Sequence, residues 1–284
     1  MQKRCLTIQD YSCLGRCSLT VALPVLSAAG IEACGIPTAV LSNHTAGFKS
    51  WTYADLTDYI NPTVDHWKDY RHHFDAIYTG YLGTNQVSII SSIIDKLKAK
   101  DTVVIVDPAC ADNGKLYPGF SSEHITAMKR LIKRSDIILP NLTEATLLAN
   151  ETYSADYDEL MIKHLLMKLS RLGPKQVVIS GLSFTPNTIG CYSYDADEDV
   201  FDYYQTETYP GTYHGTGDLF ASTFVASILN GFDMKGAVRI AHDVVHQAIA
   251  ETIEDEGENP EIYYGVEFEK ALPTLISRVS KRRK

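Results

Sequence analysis

A chain of 284 residues, 45% hydrophobic and 21% charged, can bury about three quarters of its unfolded surface in a core of its own, which excludes disordered, collagenous and disulfide-scaffold classes. Its 35 acidic against 26 basic residues leave a net charge of −9, the wrong sign for a surface that grips phosphate backbones or anionic lipid. No nucleic-acid or membrane partner is expected, and the basic run Lys281-Arg282-Arg283-Lys284 reads as a solvated chain end.

In chain order, short β-branched runs alternate with stretches of helical period. Strands are expected at Cys5 to Gln9, Ala33 to Val40, Asp75 to Tyr78, Thr102 to Val106, Asp136 to Leu139 and Gln176 to Ile179, followed by a hairpin of Thr188 to Tyr194 and Val200 to Thr206. Helices are expected near Ser18 to Ala29, Asn85 to Ala99, Ser122 to Lys133, Ala155 to Leu172, Asp218 to Leu229 and Lys235 to Glu251. This alternation predicts an α/β fold with a central, mostly parallel sheet flanked by helices on both faces. No repeat, linker or composition break divides it, so residues 1–284 are expected to form one domain. Polar and glycine-rich clusters fall directly after the strands, where an open parallel sheet carries its ligand crevice.

The opening Met1 to Asp10 turns polar before a signal core can form. No later stretch stays apolar for the roughly 20 residues of a membrane span, Ser18 to Leu41 being cut by Pro24, Gly30, Glu32, Gly35 and Pro37. A cytoplasmic location is expected. The 6 cysteines, at positions 5, 13, 17, 34, 110 and 191, lack C-x-x-C pairing, so they are expected to stay reduced and mostly buried. Sequons at Asn43, Asn141 and Asn150 then need a reason other than glycosylation.

The sharpest local signal is Gly211-Thr212-Tyr213-His214-Gly215-Thr216-Gly217-Asp218, which runs straight into a helix. Glycines at 215 and 217 let backbone N–H groups converge, and the helix start adds roughly half a positive charge, making an anion site. Asp218 is either a helix cap or a base at the edge of that site. A Walker loop occurs nowhere, and the dinucleotide fingerprint fails where it would need glycine, at Phe220. An anion hole beside a carboxylate suits phosphoryl transfer to a hydroxyl. In Pro140-Asn141-Leu142-Thr143-Glu144, an amide and a carboxylate three residues apart would suit Mg²⁺ held through water, or an ordinary capping box. Asp107-Pro108 places another carboxylate at a strand end.

Together with Ser42-Asn43-His44-Thr45 and Thr79-Gly80-Tyr81-Leu82-Gly83-Thr84, these fragments resemble the ribokinase-like superfamily, and more narrowly its pyridoxal kinase branch. The resemblance implies ATP-dependent phosphorylation of the 5′-hydroxymethyl group of a B6 vitamer (pyridoxal, pyridoxamine or pyridoxine). A hydroxymethylpyrimidine or other small alcohol remains open as substrate, and a non-catalytic B6 or nucleotide binder remains open as a different class. It further implies Asp218 as base, an anion hole at Gly215, Thr216 and Gly217, and ATP contacts at Asp107, Asn141, Glu144 and Ser180. Mg²⁺ would lie near Glu144 and Asp107, and a substrate pocket would be formed by Asp10, Asn43, His44, Thr45 and Tyr81. Stimulation by K⁺ and a homodimer are implied as well. Asp10 departs from the pattern, since the family carries Ser after the same Ile-Gln pair, and a carboxylate there suggests a shift towards pyridoxamine or a hydroxymethylpyrimidine. The segment after Asp107-Pro108 departs too, and its Asn113-Gly114 and Pro118-Gly119 pairs predict a flexible lid in which Cys110 is either reactive or inert packing.

Overall fold

The protein's structure, a computed structural model, describes residues 2–67, 70, 73–257 and 264–281; Arg282, Arg283 and Lys284 of the basic end lie outside them. From the N-terminus run β1 (Arg4–Ser12), α1 (Leu19–Ala28), β2 (Glu32–Leu41), β3 (Tyr53–Asp55), α2 (Thr57–Trp67), β4 (Ala76–Thr79), α3 (Thr84–Leu97) and β5 (Val103–Val106). A small hairpin of β6 (Ala111–Asp112) and β7 (Lys115–Leu116) precedes α4 (Ser122–Ile132), β8 (Ile137–Ile138), α5 (Leu142–Ala149), α6 (Glu159–Ser170) and β9 (Gln176–Leu182). Then come β10 (Thr188–Asp195), β11 (Val200–Glu207), α7 (Thr216–Leu229), α8 (Met234–Glu256), a 3-10 turn at Phe268–Ala271 and α9 (Leu272–Ser280).

The main sheet has 9 strands in the order β11-β10-β9-β8-β5-β4-β1-β2-β3. The six from β9 to β2 are parallel, and β3, β10 and β11 join antiparallel at the two edges. The parallel strands read as continuous apolar runs because both of their faces are covered. In β5, Val104 and Val106 face a core shared with α2 to α6, while Ile105 faces a second core shared with α1, α7, α8 and α9. Strand β4 divides in the same way, Ile77 to the first core and Ala76 with Tyr78 to the second.

All eight expected strands and all six expected helices are present, with end shifts of a few residues. The largest shift is in α8, which runs on to Glu256 rather than ending at Glu251, and α6 starts at Glu159 on its Asp158 cap rather than at Ala155. Elements not foreseen are β3, α2, α9 and the β6–β7 hairpin, while α5 starts with the capping box that Asn141 and Glu144 allowed. The expected flexible lid is corrected by that hairpin. Asn113 (φ 49°) and Gly114 (φ 75°) form its two-residue turn, and the Gly114 N–H donates to Thr143 Oγ1 at 3.0 Å, fastening the turn to α5.

Gln86, 1% exposed at the start of α3, ties three elements together. Its Oε1 accepts from Gly83 N–H (2.8 Å), and its Nε2 donates to the Thr38 carbonyl of β2 and the Thr57 hydroxyl of α2 (both 2.9 Å). Gln86→Met keeps the volume but leaves the Gly83 N–H without its acceptor, at about 1–3 kcal/mol, while the Thr38 carbonyl keeps the Leu56 N–H. The expected outcome is a clearly lower urea midpoint with an unchanged slope.

Candidate active site

A cavity of about 660 Å³ opens where the parallel strands end. Each parallel strand or the loop leaving it supplies a lining residue: Asp10 from β1, Leu41 from β2, Tyr81 after β4, Asp107 after β5, Leu139 after β8 and Ser180 from β9. The glycine-rich turn 211–217 and the first residue pairs of α7 close the other side.

Helix α7 begins at Thr216, two residues earlier than expected, with Gly215 as its cap at φ 76°. A Cβ on Gly215 would lie 2.0 Å from the Arg16 carbonyl, so both the backbone angle and the close approach require glycine there. Asp218 therefore occupies the third helical position rather than capping. Burial, the largest influence, pushes its carboxyl up to about 7; the Ser18 N–H pulls it back, the nearby Asp10 raises it, and the Cys17 thiol lowers it. Asp218 borders the cavity together with the first amides of α7, which have no partner within their own helix.

Asp10 is 5% exposed. Its Oδ1 accepts from the Ser18 hydroxyl (2.5 Å) and its Oδ2 from the Ser12 hydroxyl (3.0 Å). Burial raises its carboxyl and the two hydroxyls lower it. Tyr81 is delivered to the cavity by Gly80, where a Cβ would meet the Gln9 side chain at 2.3 Å. Its ring stacks on Phe120 (5.3 Å), which stacks in turn on His124 (3.8 Å). His44 and Thr45 line the cavity. His44 Nε2 meets the Tyr264 carbonyl at 3.1 Å, which makes it the N–H side, and its buried Nδ1 has no partner. Asn43 is not among the lining residues. Its side chain accepts from the Ser42 hydroxyl and donates to the His44 and Ser50 carbonyls, so it shapes the loop that carries His44 and Thr45.

On the opposite wall, Asn141 and Glu144 form the capping box of α5. Glu144, 2% exposed, accepts from the Asn141 N–H through Oε2 (3.0 Å) and from the Cys110 N–H through Oε1 (2.8 Å), and Asn141 Nδ2 donates to the Ala111 carbonyl (2.7 Å). The pair thus fastens the hairpin while still bordering the cavity. Asp107 accepts from the Ala109 N–H at 3.2 Å. Burial first, then the Glu144 and Asp218 charges, raise its carboxyl well above the usual range. Cys110 is fully buried and burial raises its thiol, which suits inert packing. Ser180 lines the cavity, and its N–H donates to the Pro140 carbonyl (3.1 Å).

Beyond Ser180 the cavity continues as a slot that sequence motifs did not reveal. It is lined by Ile189, Thr206, Tyr209, His242, Val245 and His246. Tyr209 lies against His246 (centroids 4.8 Å), and His242, held neutral by burial that lowers its pKa to about 4, bonds the Thr206 hydroxyl through Nε2 at 2.9 Å. An aromatic and apolar lining with a few fixed polar groups suits a nucleobase.

Among the described residues the lining carries six carboxylates (Asp10, Asp107, Asp112, Glu144, Glu207 and Asp218) and four histidines, with neither Lys nor Arg. A polyphosphate entering such a lining needs a cation to accompany it. Among the described residues no group of three or more His, Cys, Asp or Glu stands ready to hold a metal. Both oxygens of Glu144 already accept backbone N–H groups, so this donor set fits Mg²⁺ that arrives on phosphates and keeps most of its waters.

Comparison with known proteins places the fold among kinases. A crystal structure described as a phosphomethylpyrimidine kinase from Bacteroides thetaiotaomicron, in a form with pyridoxal, is 36% identical, with 97% of this chain and 96% of that chain covered and a TM-score of 0.91. Pyridoxal kinase from Lactobacillus plantarum is 29% identical, with 98% of each chain covered and a TM-score of 0.88. A pyridoxal kinase of Dictyostelium discoideum is 28% identical over 273 residues, 89% of this chain and 87% of the relative. The phosphomethylpyrimidine kinase family model matches residues 22–260, and the chain belongs to that family of ribokinase-like kinases.

Proposed function

We propose that this chain transfers the terminal phosphoryl group of Mg-ATP to the 5′-hydroxymethyl group of a B6 vitamer, pyridoxal, pyridoxamine or pyridoxine, in the salvage of pyridoxal 5′-phosphate. The observation that carries the reading is Asp218, a carboxylate raised to about 7 at the start of α7, in one cavity with Tyr81 and Thr45. A relative 36% identical crystallised with pyridoxal supports the same substrate class.

In this mechanism Tyr81 gives the pyridine ring an aromatic face, and Thr45 offers its nitrogen a hydrogen bond. Asp218 accepts the hydroxymethyl proton as the oxygen attacks the terminal phosphorus. The new O–P bond forms while the bond to the bridging oxygen breaks, and ADP departs. The amides at Gly215, Thr216 and Gly217 donate to the transferred phosphoryl oxygens at the positive end of α7. Mg²⁺ would be held near Asp107 and Glu144, where it would offset phosphate charge. The slot around Tyr209 and His246 would take the adenine.

The proposal includes one domain over residues 1–284, a homodimer, stimulation by K⁺ and action in the cytoplasm. No helix among the described residues is long and apolar enough to cross a membrane. Hydroxymethylpyrimidine is the second reading, favoured by the family's name. Incubation with Mg-ATP and each alcohol, followed by product mass, separates the two; a phosphorylated pyrimidine with unmodified vitamers would replace the first reading. A binding protein would give no product at all.

Asp218→Asn is expected to lower kcat by about 10²–10⁴ with the KM for ATP retained. In the unaltered protein kcat/KM for the vitamer falls with the ionised fraction below about pH 7, and the Asn variant loses that limb. Near-normal turnover of the variant would refute the base.

The same raised pKa has a thermodynamic sign. The folded protein binds a proton at Asp218 that the unfolded chain, with an ordinary value of 3.8, releases. The group's contribution to stability is therefore full below pH 3.8 and is lost as pH rises to about 7. Asp218→Asn is expected to melt higher than the unaltered protein at pH 8, with the gap closing towards pH 4. Chelation of divalent cations is expected to abolish turnover, since no lining Lys or Arg can stand in.

A further inference from the structure

Asp10 is a buried carboxylate in the substrate half of the cavity, and its surroundings supply hydrogen bonds without a counter-charge. Ser12 and Ser18 each donate a hydroxyl to one of its oxygens. Among the described residues no Lys or Arg lines the cavity. Two neutral donors orient a carboxylate but do not offset the several kcal/mol lost when an ion leaves water.

The backbone is distorted to make this arrangement. Ser18 has φ 54° and ψ −130°, a combination that costs a residue with a Cβ on the order of 1–3 kcal/mol. In that conformation its hydroxyl reaches Asp10 while its N–H faces the Asp218 carboxylate. One residue thus bridges the two acids, and Asp10 also lies near enough to Tyr81 to raise its hydroxyl. A ring lying on Tyr81 with its hydroxymethyl group at Asp218 would turn a neighbouring polar group towards Asp10.

We infer that Asp10 is the counter-ion for a protonated nitrogen of the substrate, so that this pocket selects for positive charge. The inference rests on the kinase reading above. Two nitrogens of the B6 vitamers can carry the proton: the ring nitrogen, which all three share, and the aminomethyl nitrogen, which pyridoxamine alone has beside the reacting hydroxymethyl group. The bridge through Ser18 favours the second.

The test is steady-state kinetics of the full chain and its Asp10→Asn variant with pyridoxamine, pyridoxal and pyridoxine, the KM for ATP being measured alongside. Asparagine keeps the shape and removes the charge. The expected result is a vitamer KM raised about 10- to 100-fold with the KM for ATP and kcat little changed. A rise confined to pyridoxamine assigns the aminomethyl nitrogen, and an equal rise for all three assigns the ring nitrogen. Vitamer KM values within threefold of the unaltered protein overturn the inference, as does a loss in which kcat and the KM for ATP change together. If the unaltered chain phosphorylates none of the vitamers, the kinase reading itself has failed, which is a separate result. Asp10→Ser, which removes the carboxylate and keeps a small polar side chain, is the second variant should asparagine disturb the fold, and the same outcomes apply.

Discussion

Negative charge without basic side chains is the constraint on which this cavity depends. Among the described residues six carboxylates line it, and their mutual repulsion has no lining Lys or Arg to relieve it. Backbone dipoles take that place. Glu144 is held by N–H groups of Asn141 and Cys110, Asp107 by that of Ala109, and α5 and α7 both begin at the cavity wall, each with an acid at its third position. Fixed amides of this kind tolerate the arrival of phosphate where a free carboxylate would oppose it. Under the proposed function, cations carried in with the nucleotide would complete the balance.

The contacts that arrange these groups also hold the fold together. Gln9 of β1 passes so close to Gly80 that the exit of β4 is fixed, and Tyr81 follows from it. The Arg16 carbonyl fills the space that a side chain at 215 would need, which sets the first turn of α7 against the loop leaving β1. The same loop is tied to the chain's C-terminal part, for Arg16 donates to the Gly265 carbonyl and pairs with Glu269. Residues distant in sequence therefore meet at one rim because the parallel strands all end there.

The parallel strands were legible because burial on both faces leaves apolar runs, and the glycine-rich turn was legible because the cap of α7 at positive φ, against the Arg16 carbonyl, requires glycine. Elements without such signals were not. Strand β3 is three exposed residues, and α2 carries an internal Pro62. The hairpin after Asp107 looked loose because Asn-Gly and Pro-Gly suggest mobility, whereas Asn113-Gly114 is the tightest kind of strand turn once a partner strand exists. The three sequons have structural uses. Asn43 braces its loop, Asn141 caps α5, and Asn150 ends α5 in the left-handed conformation that asparagine tolerates. The slot formed by Thr206, Tyr209, His242 and His246 lay beyond sequence reasoning because its residues come from β11, the following turn and α8, none of them part of a local motif.

Backbone strain shows where the cavity makes its demands. Six residues other than glycine have positive φ among the described residues, and four are Asn or Asp, which accept that region readily. The other two are Ser18 and Ala109, and both line the cavity. Each turns its N–H towards a carboxylate, Ala109 to Asp107 and Ser18 to Asp218. A relaxed backbone at either point would aim the amide elsewhere and leave a buried acid with one donor fewer. The strain is thus located at the buried acids Asp107 and Asp218, and the two apolar cores on either face of the sheet supply the stability that lets it persist.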